Sequence, residues 1–336
     1  KSVTLEETDL TITNSEFYDG GGLYQSEWGV FHVSNCLFDS VSEAISISGF
    51  DDGGGLFNCI IKNCGSVGSS DEESNLLTFE DCQIYDNDGG FLGYNQVLTI
   101  MNCEIYNNGD GVLLEGMSSE LIMDHCLYYN NSGSIELGPF VDCQISSSSF
   151  ANNLDDLLVI NSNSPNNIAI SDCIVAHNTG AGLISTGADG TFNISCSDFY
   201  NNSGGNYVGI PDQTGINGNI SEDPLFCDTA SNDYTLDYLS PCAPMNNLCE
   251  ILMGAREVGC GIACGDINGD QAMGVSDAVY LINYLFINGP APYPMEIADA
   301  NCDGKVNLVD VIYIVNYVFR GGADPCDPND DGVPDC

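Results

Sequence analysis

The sequence predicts an all-β parallel β-helix, a solenoid of stacked coils, followed by a small α-helical domain built on two paired acidic loops. Three observations carry this prediction. The phrase TITNSEFYDG at 11–20 returns as TIMNCEIYNNG at 99–109 and in further variants through residue 205. One slot of the phrase holds Ser15, Cys36, Cys59, Cys82, Cys103, Cys126, Ser148, Cys173 and Ser197, in nearly equal steps along the chain. Downstream, over 264–321, one loop-and-helix unit is written twice, with Asp299 opening the second copy as Asp266 opens the first.

A period drifting around 23, with short alternating runs (Leu98, Ile100; Ile168, Ile170) broken by Asn and Gly, fits coils that cannot bury their apolar side alone and so stack into a continuous core. A sandwich or propeller has other periods and needs no small residue in the same slot of every coil. The pairs Asn107–Asn108, Asn130–Asn131, Asn152–Asn153 and Asn201–Asn202 fall at corners. There, side-chain amides can bond to the next coil and satisfy turn backbone. The slot cysteines read as small buried groups, stacked and mostly reduced. Residues 10–205 resemble the right-handed parallel β-helix family shared by pectate lyases, polygalacturonases and many non-enzymatic surface proteins. The resemblance implies the fold and its hand, not a chemistry. Residues 206–262 break the period, and 223–244 with 251–261 resemble the closing segment that covers the exposed sheet edge after such helices. The expected domains are 1–262, the β-helix with its closing segment; 263–321, the helical domain; and 322–336, an acidic tail bounded by cysteines.

In the duplicated unit, Asp266, Asn268, Asp270 and Asp277 occupy loop positions 1, 3, 5 and 12, and Asp299, Asn301, Asp303 and Asp310 repeat them. Hard cations such as Ca²⁺ take six to eight oxygens, which a 12-residue loop supplies from alternate side chains, a backbone carbonyl at position 7 (Ala272, Lys305) and a carboxylate at position 12. Gly304 fills position 6 of the second loop, where positive φ is wanted; Gln271 stands there in the first. That mismatch costs about 1 kcal/mol and predicts a weaker first site. Ala278, Leu281, Ile282 and Leu285, then Val311, Ile314, Val315 and Val318, are spaced to share one helix face. This stretch resembles a type I dockerin, the calcium-binding module that plugs an extracellular protein into a cohesin. Asp at position 12, as in Asp277 and Asp310, is the family's choice. The resemblance implies two calcium ions and a cohesin-type partner on a scaffold or cell-surface protein. It also implies that positions 10 and 11, Val275–Ser276 and Leu308–Val309, read that partner, where the family often carries a Ser-Thr pair. Beyond it, Asp327, Asn329 and Asp331 form a third short acidic loop that resembles part of a thrombospondin type 3 calcium repeat. A third calcium there and a solvated acidic tail both stay open.

Five basic against 49 acidic residues give a net charge of −44. Such a chain repels nucleic acid and anionic membrane surfaces, and no run of 18 apolar residues is present to span a bilayer. Cys227, Cys242, Cys249, Cys260, Cys264, Cys302, Cys326 and Cys336 crowd the last third. They predict disulfides in an oxidising compartment, with Cys264 and Cys302 as staples of the loops and Cys326 and Cys336 closing the tail. The connectivity stays open. Opening at Lys1 without a signal peptide, the chain is expected to be a mature or trimmed portion of a secreted, extracellular or cell-surface protein.

The solenoid offers little chemistry. Lyases acting on uronates need a cationic base and clamps, and residues 1–262 hold only Lys1, Lys62 and Arg256. The catalytic phrases of β-helix galacturonases are absent. His125 replaces the Asn before the cysteine slot and His177 the first corner Asn, so both read as structural variants. Asp110 and Asp155 stand at the same offset after the slot, as does Glu43, with Asp156 adjacent. Two coils put Asp110 and Asp155 ~10 Å apart along the axis, close to the roughly 6.5–9.5 Å of inverting glycosidases. The competing reading is a solvated acidic stripe. Tyr85, Tyr106, Tyr129 and Tyr200 share one repeat position and predict an external ladder. Two functions remain open. One is a non-catalytic rod, anchored outside the cell by docking and associated with polysaccharide. The other is a glycoside hydrolase or polysaccharide lyase of a polysaccharide-degrading complex.

Overall fold

The computed structural model of the protein describes residues 3–5, 9–25, 29–47, 53–70, 75–117, 119–161, 166–187, 190–261, 264–270, 272–293 and 295–322. Gln271, Cys326, Cys336 and the third acidic loop at Asp327, Asn329 and Asp331 lie outside them. Two compact units emerge. The first is Lys1–Pro224 with Asn247–Arg256, and the second Leu225–Asn246 with Glu257–Cys336.

The first unit is a right-handed parallel β-solenoid of three sheets. One has ten strands, from Val3–Leu5 to Gly205–Val208; the second has nine, from Leu10–Thr13 to Thr191–Ser195; the third has nine, from Glu16–Gly20 to Asp198–Tyr200. Every pairing within them is parallel and in step. In the third sheet, for example, Ile84, Ile105, Tyr128, Phe150, Val175 and Phe199 are successive partners pointing inward. Inward residues of all three sheets form one continuous core. Each coil thereby gains, from its neighbours, the burial it lacks alone.

The recurring phrase is explained by the corner between the second and third sheets. The residue before the slot takes a left-handed conformation in each coil: Asn14, Asn35, Asn58, Asp81, Asn102, His125, Ser147, Asp172 and Cys196 all have positive φ. Asn and Asp dominate because they tolerate that region best. The slot residue then donates back to the carbonyl two places earlier: Cys103 Sγ to Met101 at 3.2 Å, Cys173 Sγ to Ser171 at 3.0 Å, Ser148 Oγ to Ser146 at 2.7 Å and Ser197 Oγ to Ser195 at 2.9 Å. The slot therefore wants a small donor, which is why Ser and Cys alternate there. Cys36, Cys59, Cys82, Cys103 and Cys126 are buried free thiols.

The next corner repeats the device. Asn107, Asn130, Asn152, His177 and Asn201 are left-handed. The residue after each is a buried Asn; the amides of Asn108, Asn131, Asn153 and Asn178 bond to the counterpart in the following coil, and that of Asn202 to Asn206. His125 and His177 thus stand at left-handed corner positions, as structural variants should. Asn247–Arg256 belongs to this unit as a strap along the third sheet. Cys249 is bonded to Cys196, Gly254 N–H donates to Asp172 O at 2.7 Å, and Ala255 N–H donates to Ser149 Oγ at 2.9 Å. Under the strap, Ser149–Ala151 and Ile174–Ala176 are buried throughout.

In the second unit, Phe226–Asp228, Asp233–Asp237 and Val258–Cys260 make a small sheet, pinned by the Cys227–Cys260 disulfide. Helices α1 (Val275–Ile287) and α2 (Leu308–Arg320) follow the two loops. They pack through Ala278, Leu281, Val311 and Ile314 around Ile267, Ala298 and Ala300. The stretch expected to close the solenoid is thus divided between the units.

Candidate metal centre

Each acidic loop is drawn around its position-12 carboxylate. Asp277 accepts from Asn268 N–H (2.9 Å) and from Gly274 N–H (2.7 Å), and Gly274 is the N-cap of α1. Asp310 repeats this with Asn301 N–H (3.4 Å) and Asn307 N–H (2.8 Å), Asn307 capping α2. The same carboxylate therefore closes the loop and forms half of a capping box. Both are fully buried. At position 1, Asp266 accepts from Asp270 N–H at 3.1 Å, and Asp299 accepts from Asp303 N–H at 3.1 Å and from Gly304 N–H at 2.7 Å. The position-3 amides accept from the same position-5 N–H groups. Gly304 takes φ +78°, as its place in the loop demands.

Asp266, Asp270 and Asp277 each bring a ligand atom within 4.8 Å of the others, with Asp266 and Asp277 buried. Among the described residues this is the one such group of three. Burying mutually repelling carboxylates is costly unless a cation joins them. An all-oxygen donor set of this kind suits a hard divalent ion. Burial pushes the Asp310 carboxyl up from its usual range, which is the same strain in the second loop. Lys305, at position 7, is exposed. Cys264, ahead of the first loop, and Cys302, in the second, are both disulfide-bonded.

Comparison with known protein families matches the right-handed β-helix region over residues 2–138 and 51–202, and the type I dockerin domain over 264–319. The chain belongs to the right-handed β-helix family and carries a type I dockerin domain. No curated protein sequence matches it. Type I dockerins bind calcium and dock to cohesins, and proteins that carry them are typically extracellular. Among the described residues, no helix is long and apolar enough to cross a membrane.

The dockerin exposes more apolar surface than the sequence spacing announced. Val275, Leu308 and Val309 are about half exposed, and Ser276 is also exposed. Ile282 and Val315 do not join the buried face with Ala278, Leu281, Val311 and Ile314; they turn outward. With Val279 and Ile312 they extend the exposed stripe to Phe286 and Phe319, which are 64% and 66% exposed. The period-3.6 pattern misled because both helices are apolar on two sides. Their equal spacing from the loops was the available signal.

The carboxylates of the β-helix are brought together only in part. Gly133 packs on Asp110 in the neighbouring coil and Gly180 on Asp155, so Asp110 and Asp155 do share one edge, two coils apart. Each candidate also caps backbone: Asp110 accepts from Gly111 N–H, Asp155 from Asp156 N–H, and Asp156 from Ala181 N–H. Asp110 lines a groove of about 460 Å³ with Glu43 and Glu136; Asp155 and Asp156 are not in its lining. Glu136, which sequence spacing missed, comes from the ten-stranded sheet. The two described cations of the β-helix are paired, Lys62 with Asp39 at 3.4 Å and Arg256 with Glu104 at 3.7 Å. Tyr85, Tyr106 and Tyr129 do stack, at 4.8 and 4.9 Å, but the ladder is not external throughout, since Tyr129 is buried. Tyr200 shares their register but is separated from Tyr129 by Ala151 and Ala176, beneath the strap. Sugars stack on free ring faces, and here both faces of Tyr106 are spent on its neighbours.

Proposed function

We propose that this β-helix protein works outside the cell as a cargo held on a scaffold or cell-surface protein, where it takes part in binding or breaking down polysaccharide. The anchor is calcium-dependent docking of its dockerin to a cohesin. Two ions are held, one by Asp266, Asn268, Asp270 and Asp277 with the Ala272 carbonyl, the other by Asp299, Asn301, Asp303 and Asp310 with the Lys305 carbonyl. Asp277 and Asp310 would each be a ligand when calcium is bound, and because they also cap α1 and α2 they tie each loop to the start of its helix. That places Val275, Ser276, Leu308 and Val309 for the partner.

The observation that carries this reading is the doubled apolar stripe on α1 and α2. Large apolar side chains left in water at corresponding positions of two helices mark an interaction surface. The test is binding of the intact chain to cohesins from the same genome, with calcium and with chelator. Binding that requires calcium supports the reading, and binding to none of them overturns it. The glycoside hydrolase alternative has one observation of its own, the groove that joins Asp110, Glu43 and Glu136. An activity screen on neutral and acidic polysaccharides, comparing the chain with Asp110→Asn, decides it.

A further inference from the structure

We infer that Tyr238, which lies outside the dockerin match, is a positioning residue for the first calcium loop and makes the two loops unequal. The inference rests on the calcium reading above. Tyr238 follows the strand Asp233–Asp237 and is fixed on both sides. Its N–H donates to Cys260 O at 2.9 Å, its carbonyl accepts from Asn246 Nδ2 at 2.8 Å, and Cys260 is itself tied to Cys227. From that anchored backbone the phenol reaches Gly269, loop position 4, between the ligands Asn268 and Asp270. A Cβ at Gly269 would stand 2.7 Å from Tyr238 Cε1 and 2.8 Å from Cζ, and closer still to the hydroxyl.

The internal repeat supplies the control. Position 4 of the second loop is Cys302, also left-handed, at φ +55° against +74° for Gly269. A side chain is therefore compatible with this backbone, and Cys302 is exposed. Glycine is needed at 269 because a tyrosine occupies the space a Cβ would take. Loop one has Gln271 at position 6, where the second loop has Gly304, so it lacks the residue that eases the turn. A rigid ring packed on position 4 offsets that deficit. It holds Asn268 and Asp270 near their liganding places before the cation arrives, and so reduces the ordering that binding must supply.

The test is calcium titration of the full chain by calorimetry in two backgrounds. Asp310→Asn keeps a capping oxygen but weakens the second site; Asp277→Asn does the converse. Tyr238→Ala should weaken the remaining site about tenfold in the Asp310→Asn background and less than twofold in the Asp277→Asn background. Tyr238→Phe, which keeps the ring, should hold within threefold of the parent. Gly269→Ala should weaken the first site at least as much as Tyr238→Ala, and adding it to Tyr238→Ala should cost only the strain of a side chain at φ +74°, since the clash and the support vanish together. Equal losses at both sites would overturn the inference and point to general destabilisation; no loss at either would also overturn it. If neither Asp277→Asn nor Asp310→Asn changes calcium binding, the calcium assignment itself has failed instead.

Discussion

Asn108 Nδ2 donates to Asn131 Oδ1 at 3.0 Å, and the backbone N–H of Asn108 donates to the same oxygen, also at 3.0 Å. Asn131 passes this on, donating to Asn153 Oδ1 at 3.3 Å and to Ile105 O at 3.0 Å. The ladder runs from Asn87 to Asn202 and continues to Asn206. Each rung satisfies backbone that would otherwise be buried without a partner.

Asn131→Leu should therefore be costly. It removes the acceptor of two donors on Asn108 and the amide donor that reaches Ile105 O, at about 1–3 kcal/mol for each buried group left unpaired. A loss of roughly 3 kcal/mol or more is expected from urea unfolding midpoints. Asn107→Ala, at the exposed left-handed corner next to the ladder, should cost only ~1 kcal/mol. Comparable losses for both would remove the ladder from the account of stability.

The thiol slot carries a pH dependence with a definite sign. Burial holds the Cys126 and Cys173 thiols up at about 12, and Cys82 is also raised to about 12, first by its contact with Cys103. Unfolded thiols ionise near about 8.5. Below that value both states keep their protons and the stability is fully present. Above it the unfolded chain loses protons that the native chain retains, so stability should fall between about pH 8.5 and pH 12, by up to about 1.4 kcal/mol per pH unit for each such thiol. Denaturation midpoints at pH 7, 9 and 10 check this, with Cys126→Ser expected to reduce the slope. A thiol reagent at pH 8 should react with these cysteines only after unfolding.

These features were unequally legible in the sequence. The solenoid was readable because one phrase recurs once per coil and its slot is chemically narrow. The two acidic loops were readable because their spacing repeats, and the fold draws each one around its position-12 carboxylate. The outward turn of Ile282 and Val315 was not, since a helix apolar on two faces satisfies the buried-face pattern in more than one phase. Tyr238 was not readable either. It contacts Gly269 from a segment that repeats nowhere, and only the inequality of Gly269 and Cys302 hinted that something filled the space. Glu136 reached the Asp110 groove from within a strand of the ten-stranded sheet, out of phase with the offset that Glu43, Asp110 and Asp155 share in the turns.

Calcium removal should unfold the dockerin helices and spare the β-helix. Asp277 and Asp310 are fully buried acceptors that also cap α1 and α2. Without a cation their charges repel Asp266 and Asp270, or Asp299 and Asp303. With chelator, helical circular dichroism should fall while the sheet signal of the β-helix stays. Asp277→Ala and Asp310→Ala should each remove one calcium from the binding stoichiometry. Unchanged helicity in chelator would break the link between metal and helix formation.

The proposed docking face can be mapped by truncation. Its positions run in pairs, offset by the same step that separates Asp266 from Asp299: Val275 with Leu308, Val279 with Ile312, Ile282 with Val315, Phe286 with Phe319. Each pair is similarly exposed, the phenylalanines most of all. Fully burying such a side chain in a partner gives about 1.5–3 kcal/mol, so removing one that is used should cost roughly tenfold or more in affinity. Leu308→Ala combined with Val309→Ala should weaken cohesin binding at least tenfold if the start of α2 is engaged, and Phe286→Ala or Phe319→Ala should report whether the far ends of the helices are. None of these should lower helicity, because the side chains point into water. Val311→Ala, in the shared core, should do the opposite and destabilise the dockerin by the cavity it leaves. Surface plasmon resonance against a binding cohesin, with circular dichroism as the folding control, separates the two classes. Undiminished binding by every exposed-stripe variant would place the partner's footprint elsewhere on the domain.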